Sequence, residues 1–417
     1  MKNPILILLA LCCQVLRPNC QNAEENGFPT GTWLGIVSFG QSQPDMDVPF
    51  NFRHYFSPEG KEIVEILNAE DRIITSEIYY SGDLVIIKLP VHQAEINATC
   101  KNDTLTGTFY PRGKNEKKEY CFHAIYNVTD RYPGYSEPPS DNLSGRWKIT
   151  ENPGTPEESV MIGVFRQQGS RVTGTVLTTT GDYRYLEGKL SGKNFMLSCF
   201  DGGFCMSFRA ELSASGTLEN GKFAGSPAWK SNWRAERDEK VKLPDAYSLV
   251  TEKAGAPPFG FSFPDLNGNI ISLSDEQFRN KVVIIQVMGT WCANCKDETF
   301  IFEEFYKKYH SGGLEIVALC FESNDRDISE KRIKRFIDHT GAGYIFLYAG
   351  EASRENRNKI LSHLEGSVAY PTSVFIDRNG KIRKVHTGFS GPATGEEYSR
   401  YVKETSLLIE QLLNETQ

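Results

Sequence analysis

The residues of this chain best suited to chemistry are two cysteines, in the run Gly289-Thr290-Trp291-Cys292-Ala293-Asn294-Cys295. A pair spaced Cys-x-x-Cys on one helical turn can form and open a disulfide. The run follows a continuous apolar stretch, residues 282–288, which reads as a strand buried on both faces. It precedes a segment of helical period, residues 296–309. Cys292 is therefore expected at a helix N-terminus, where the macrodipole and unpaired amides favour a thiolate. That makes Cys292 the attacking thiol and Cys295 the resolving one, with Trp291 shielding the pair. Zinc is the rival use of this spacing, but a zinc site normally needs a second Cys or Cys/His pair. The chain has no second Cys-x-x-Cys and no closely spaced His pair, so no metal is expected.

A second marker, Tyr370-Pro371-Thr372, lies well downstream and just before a strand candidate, 372–376. A proline at a strand start also has a purely structural use. Taken with Trp291-Cys292 and Cys295, it resembles the thioredoxin superfamily. The resemblance implies a cis Pro371 facing the disulfide, with Tyr370 and Thr372 bordering a substrate groove. It also places the loop His386-Thr387-Gly388-Phe389-Ser390-Gly391-Pro392 beside that groove, with Phe389 touching a partner and His386 structural. Three further runs, Ala256-Pro257-Pro258-Phe259, Leu266-Asn267-Gly268 and Ile271-Ser272-Leu273-Ser274, resemble the TlpA-like and ResA-like extracytoplasmic reductases. Glu298, three residues after Cys295, and Pro371-Thr372-Ser373-Val374-Phe375-Ile376-Asp377 add to the likeness, which covers 255–415. Upstream, Thr180-Gly181-Asp182-Tyr183-Arg184 and Ser198-Cys199-Phe200-Asp201-Gly202 resemble the long N-terminal extension of some TlpA-like proteins. Those two runs imply kinship without a role.

This chain departs from the family in two places. Gln286 stands six residues before Cys292, where thioredoxins carry a buried Asp, and an amide cannot take a proton from the resolving thiol. Glu298 is the candidate for that proton transfer, against the alternative of an exposed helix residue. The dipeptide Ala293-Asn294 lacks the proline that many relatives have between the cysteines.

The elements that must position these residues change character along the chain. Residues 27–130 and 143–237 each show short strand-like runs, such as 33–39, 84–89, 171–178 and 205–212. A polar, Pro-rich break at 132–141 separates them. Gly145-Arg146-Trp147 echoes Gly31-Thr32-Trp33. One reading is an internal duplication; the other is one large β domain with two unrelated Trp anchors. Either way an antiparallel sandwich or barrel-like all-β region is expected. A charged linker is expected over 238–254, followed by a C-terminal α/β thioredoxin-like domain over 255–415. In that domain 314–321, 372–376 and 382–387 read as strands. Residues 331–339, 353–364 and 396–413 read as helices.

The net charge of −7 is spread along the chain, with no basic stripe for nucleic acid. Met1-Lys2-Asn3 followed by an apolar run at 5–11 reads as a signal peptide within 1–20. Leu9-Ala10-Leu11-Cys12 resembles a lipobox, although Leu11 is unusual there. A lipid-anchored protein and a plainly secreted one, cleaved before Glu24, both stay open, and both belong in the periplasm or cell envelope. Ten cysteines fit an oxidising compartment. Cys199 and Cys205 flank a Gly-rich turn and are expected to pair, as are Cys100 and Cys121 across a hairpin, whereas Cys320 reads as a small buried hydrophobe.

Three functions compete. The first is reduction of disulfides in exported proteins, apocytochromes c among them by resemblance. No nicotinamide or flavin motif is visible, so no cofactor is expected and the electrons come from a membrane thiol donor. The second is a peroxiredoxin-like peroxidase, which normally carries a Thr or Ser three residues before its cysteine; Gly289 stands there. The third is a β-region binding module with an accessory redox domain.

Overall fold

The structure is a computed structural model that describes residues 27–40, 46–89, 94–111, 118–256 and 259–415. The expected signal peptide, with Cys12, Cys13 and Cys20, lies outside the described residues, as do Pro257 and Pro258.

The N-terminal region is all-β and barrel-like. Its strands arise from alternation: Leu84–Leu89, for example, buries every second residue. Strands between Gly31–Ser38 and Tyr120–Tyr126 make one nine-stranded antiparallel sheet, and strands between Gly145–Glu151 and Trp229–Arg237 make another. Both sheets place their first strand between their second and their ninth, and in both the fifth to ninth strands run as a meander. In the second sheet the third strand, Arg171–Thr178, also pairs with the fifth, Leu186–Ser191, which closes it. The tryptophans repeat as well. Trp33 Nε1 donates to Pro29 O at 3.1 Å and Trp147 Nε1 to Leu143 O at 2.9 Å, each reaching four residues back. Repetition of both topology and hydrogen bond favours the duplication.

One buried cation ties the two sheets together. Arg131 donates to Asn51 Oδ1 and Leu67 O on one side, and to Glu187 O and Ser198 O on the other. Its guanidinium also sits 3.4 Å from Glu187 Oε2. Removing this buried cation takes a donor from the Leu67, Glu187 and Ser198 carbonyls and from the Glu187 carboxylate, which keeps only Arg171 and the Ala69 amide, at a cost of about 3 kcal/mol. Arg131→Ala is therefore expected to lower the chemical-denaturation midpoint of the full chain, by loss of about 3 kcal/mol. An unchanged midpoint would make the cluster dispensable.

Neither expected structural disulfide forms. Cys205 pairs in register with Phe200, and Cys199 with Met206, so the two cysteines are offset by one position and point to opposite faces. Cys100 pairs with Leu105 while Cys121 pairs with Thr108, so a whole strand separates them. Cys320 is fully buried.

The second compact unit comprises residues 240–417 together with two short pieces of the second sheet, Val160–Val164 and Thr175–Arg184. The segment expected as a linker takes part in its packing. Val241 clusters with Ile162 and Leu177, and Val250–Glu252 pairs with Leu364–Gly366. The central sheet has five strands: β1 (Val282–Met288), β2 (Leu314–Glu322), β3 (Ile345–Glu351), β4 (Thr372–Ile376) and β5 (Ile382–Thr387). Their order is β3-β2-β1-β4-β5, with β1, β2 and β3 parallel and β4 and β5 antiparallel to their neighbours. The helices are α1 (Ala293–Tyr309), α2 (Arg326–Thr340), α3 (Arg354–Ile360) and α4 (Glu396–Asn414). Phe302, Phe336 and Ile409 bring α1, α2 and α4 onto one face, against Ile284 and Ile316. Phe259, Phe261, Phe278 and Leu361 cover the other face, over Ile285, Val317 and Leu347. Burial on both faces explains why β1 and β2 are apolar nearly throughout, with Gln286 and Glu315 as the polar residues inside them.

Candidate active site

The site lies at the C-terminal end of β1, where the chain turns into α1. Gly289 begins that turn because nothing larger fits: a Cβ there would lie 2.3 Å from Trp291 Nε1 and 2.8 Å from Phe321 O. Glu322, buried at the end of β2, accepts from Thr290 N at 2.6 Å and from Thr290 Oγ1 at 2.9 Å. Trp291 Nε1 donates to Phe321 O at 2.9 Å. The loop before Cys292 is thus pinned to β2 by three hydrogen bonds.

Cys292 is the N-cap of α1, and its Sγ accepts from Cys295 N at 3.1 Å. The helix starts at Ala293, three residues before the expected 296, so both cysteines belong to its first turn. Cys292 and Cys295 are joined in a disulfide with Cα atoms 5.2 Å apart. Cys292 keeps 4% of its surface exposed and Cys295 none, so the first sulfur is the more accessible of the two. On reduction, the Cys295 amide and the helix N-terminus would act on a Cys292 thiolate.

The Tyr370–Pro371 peptide bond is cis. Tyr370 O lies 3.5 Å from Cys292 Sγ, and the Tyr370 ring meets Trp291 edge-on at 5.1 Å. The Arg357 guanidinium stacks over the Tyr370 ring at 5.2 Å. Burial pushes the Tyr370 phenol up to about 12, so it stays protonated at neutral pH.

Two residues expected along the groove are elsewhere. Thr372 is fully buried, donating to Ala369 O and sharing a hydrogen bond with Thr387 Oγ1. Phe389 turns inward, edge-on to Tyr398 and Tyr401. Their apolar and β-strand settings claim these side chains before any partner does. His386 is buried between Tyr247 and Tyr401, and burial pulls its pKa down to about 4.

Beneath the disulfide lies a closed polar cluster. Glu298, one turn beyond Cys295, has no exposed surface, which removes the exposed-helix alternative. Its Oε1 accepts from Tyr401 OH at 2.7 Å and from Ser373 Oγ at 2.9 Å, and its Oε2 accepts from Gln286 Nε2 at 3.0 Å. Gln286 Oε1 in turn accepts from Tyr344 OH at 3.0 Å. Burial pushes Glu298 up to about 7, against the pull of the three donors. A carboxylic acid that titrates near neutrality can exchange a proton with a thiol. Glu322, Ser373, Tyr344 and Tyr401 are the members of this site that sequence reasoning missed. Ser373 lay inside a quoted run; the others give no local signal.

The Redoxin family matches residues 251–401. Over 144 residues the chain is 30% identical to thiol-disulfide oxidoreductase ResA of Bacillus thuringiensis subsp. konkukian, covering 34% of this chain and 73% of that protein. It is 28% identical over 151 residues to ResA of Halalkalibacterium halodurans, covering 36% and 78%. Among solved structures, it is similar to a thiol:disulfide interchange protein of the thioredoxin family from Chlorobium tepidum TLS. That match has 21% identity and a TM-score of 0.29, and covers 39% of this chain and 100% of the other.

Proposed function

The chain belongs to the ResA-like thiol-disulfide oxidoreductases, and from that premise we propose that it is an exported reductase acting on disulfides of other exported proteins. The observation that carries the reading is the seat of Cys292: N-cap of α1, bonded through its sulfur to the Cys295 amide, beside the carbonyl of Tyr370. The Cys292 thiolate attacks one sulfur of the substrate disulfide. That S–S bond breaks, a mixed disulfide forms, and the departing sulfur takes up a proton. Cys295, having lost its proton, attacks Cys292 Sγ, releases the second substrate thiol and leaves the Cys292–Cys295 disulfide. Two electrons have then passed to the substrate, and a thiol donor in the membrane returns them.

Export is supported by the basic start and the apolar run at 5–11. A lipid anchor at Cys12 would hold the enzyme near its donor. The test is a Cys295→Ala chain expressed with its own leader. Mixed-disulfide partners, identified by mass spectrometry after cell fractionation, are expected to be exported proteins carrying disulfides. Partners drawn only from the cytosol would sink the proposed compartment, and no trapped partner at all would sink the reductase.

A further inference from the structure

The run Thr180-Gly181-Asp182-Tyr183-Arg184, quoted above without a role, reaches the redox site. The piece Thr175–Arg184 of the second sheet belongs to the same compact unit as the redox fold. Its tip is a tight turn in which Thr178 Oγ1 donates to Gly181 O at 2.8 Å and Leu177 pairs with Asp182. From that turn Asp182 O accepts the side-chain amide of Asn294 at 3.1 Å. Asp182 Oδ1 accepts from Gly391 N at 2.8 Å, and Oδ2 from Arg184 N at 2.8 Å. Arg184 Nη1 donates to Ala293 O at 3.4 Å and forms a short ion pair with Asp297.

Both residues between the cysteines are therefore engaged by this tongue, Ala293 through its carbonyl and Asn294 through its side chain. The contact is too close for ordinary side chains. A Cβ on Gly181 would lie 2.2 Å from Asn294 Nδ2, and one on Gly388 2.9 Å from Thr179 O. Ala293 has no exposed surface and Asn294 only 7%. In a redox helix that begins at Cys292, this dipeptide is the surface beside the attacking sulfur. Here it is covered, whereas Trp291, Tyr370 and Arg357, which pack on one another beside Cys292, are only partly buried.

We propose that the tongue of residues 178–184 is a fixed wall of the substrate groove that selects disulfides in extended or unfolded segments over those held on folded protein surfaces. The inference rests on the reductase reading. A disulfide on a rigid, convex surface needs clearance on both sides of Cys292. With the Ala293–Asn294 side walled off, a slender segment fits along Trp291 and Tyr370 and a folded body does not.

The test compares two substrates on the full chain: native insulin, and a disulfide-linked dimer of a short unstructured peptide. The readout is the ratio of their kcat/KM values, because damage to the scaffold lowers both rates together. Arg184→Ala and Asp182→Ala are expected to raise the insulin-to-peptide ratio about tenfold, chiefly through a lower KM for insulin. Asp182→Asn, which keeps an acceptor for Gly391 N but loses the one for Arg184 N, is expected to bring the ratio part of the way back toward wild type. Should the alanine variants fail to fold, Thr180→Gly loosens the exposed tip without touching the buried bonds, and is expected to shift the ratio in the same direction. A ratio unchanged in every folded variant overturns the proposal. Wild-type protein that reduces neither substrate overturns the reductase reading instead.

Discussion

Cys292→Ser is expected to bring disulfide reduction down to background, a loss of about a thousandfold or more. Serine keeps the shape of the N-cap, so its oxygen can still accept from the Cys295 amide that now reaches Cys292 Sγ at 3.1 Å. What is lost is the nucleophile, because a hydroxyl stays protonated at neutral pH and forms no S–O analogue of a mixed disulfide. Cys295→Ser behaves differently. Attack by Cys292 survives, resolution does not, and the enzyme accumulates as a mixed disulfide after the first attack, before any turnover is complete. The two outcomes separate the roles of the two sulfurs. The measurement is turnover of a disulfide-linked dimer of a short unstructured peptide under multiple-turnover conditions, with non-reducing electrophoresis of the Cys295→Ser reaction. Sustained turnover by Cys292→Ser would remove the assignment of this pair.

The part of this site that is local in sequence was legible there. Cys292, Cys295 and Trp291 share one turn, and the apolar run of β1 before them announces a strand buried on both faces. Pro371 was legible as a marker, although its distance from Cys292 is a tertiary fact. Elements set by packing were read less well. The strand Ile345–Glu351 went unassigned, because a short apolar run between helices has no period that separates strand from helix. The helix expected at 353–364 shrinks to Arg354–Ile360, since Leu361 and Leu364 turn into the core beneath the sheet.

Cysteine pairing failed for a related reason. Turn composition placed Cys199 and Cys205 near each other, but the register of the hairpin, which aligns Phe200 with Cys205, decides which face each thiol takes. Phe389 shows the same limit, since a loop beside a groove does not say which way an aromatic ring turns. The tongue had a sequence signature and no legible use. Its contact with Asn294 spans 112 residues of chain, and only the fold brings those two ends together.

Glu298→Gln is expected to move activity and stability in opposite directions. The folded-state pKa of Glu298 is pushed up to about 7 from an ordinary 4.5, by burial first, with Tyr401, Gln286 and Ser373 pulling the other way. Between those two values the folded protein keeps a proton that the unfolded chain releases, so stability falls as pH rises through this window. Above about pH 7 the full cost of a buried carboxylate is present, on the order of 3 kcal/mol. A neutral glutamine does not bear that cost. Its carbonyl can still accept from Gln286 Nε2, and its amide can donate to the oxygens of Ser373 and Tyr401. Glu298→Gln is therefore expected to unfold at a higher temperature than wild type at pH 8, with the difference vanishing near pH 4. The same change removes a proton acceptor one turn from Cys295 that is tuned to neutrality. Resolution of the mixed disulfide, read by stopped-flow after mixing with a substrate disulfide, is expected to slow by about a hundredfold. Its rise with pH should also shift from near 7 toward the thiol's own range. A resolution rate equal to wild type across pH 6 to 9 would leave Glu298 a structural residue. A variant no more stable than wild type at pH 8 would mean that the carboxylate bears no such cost in its buried seat.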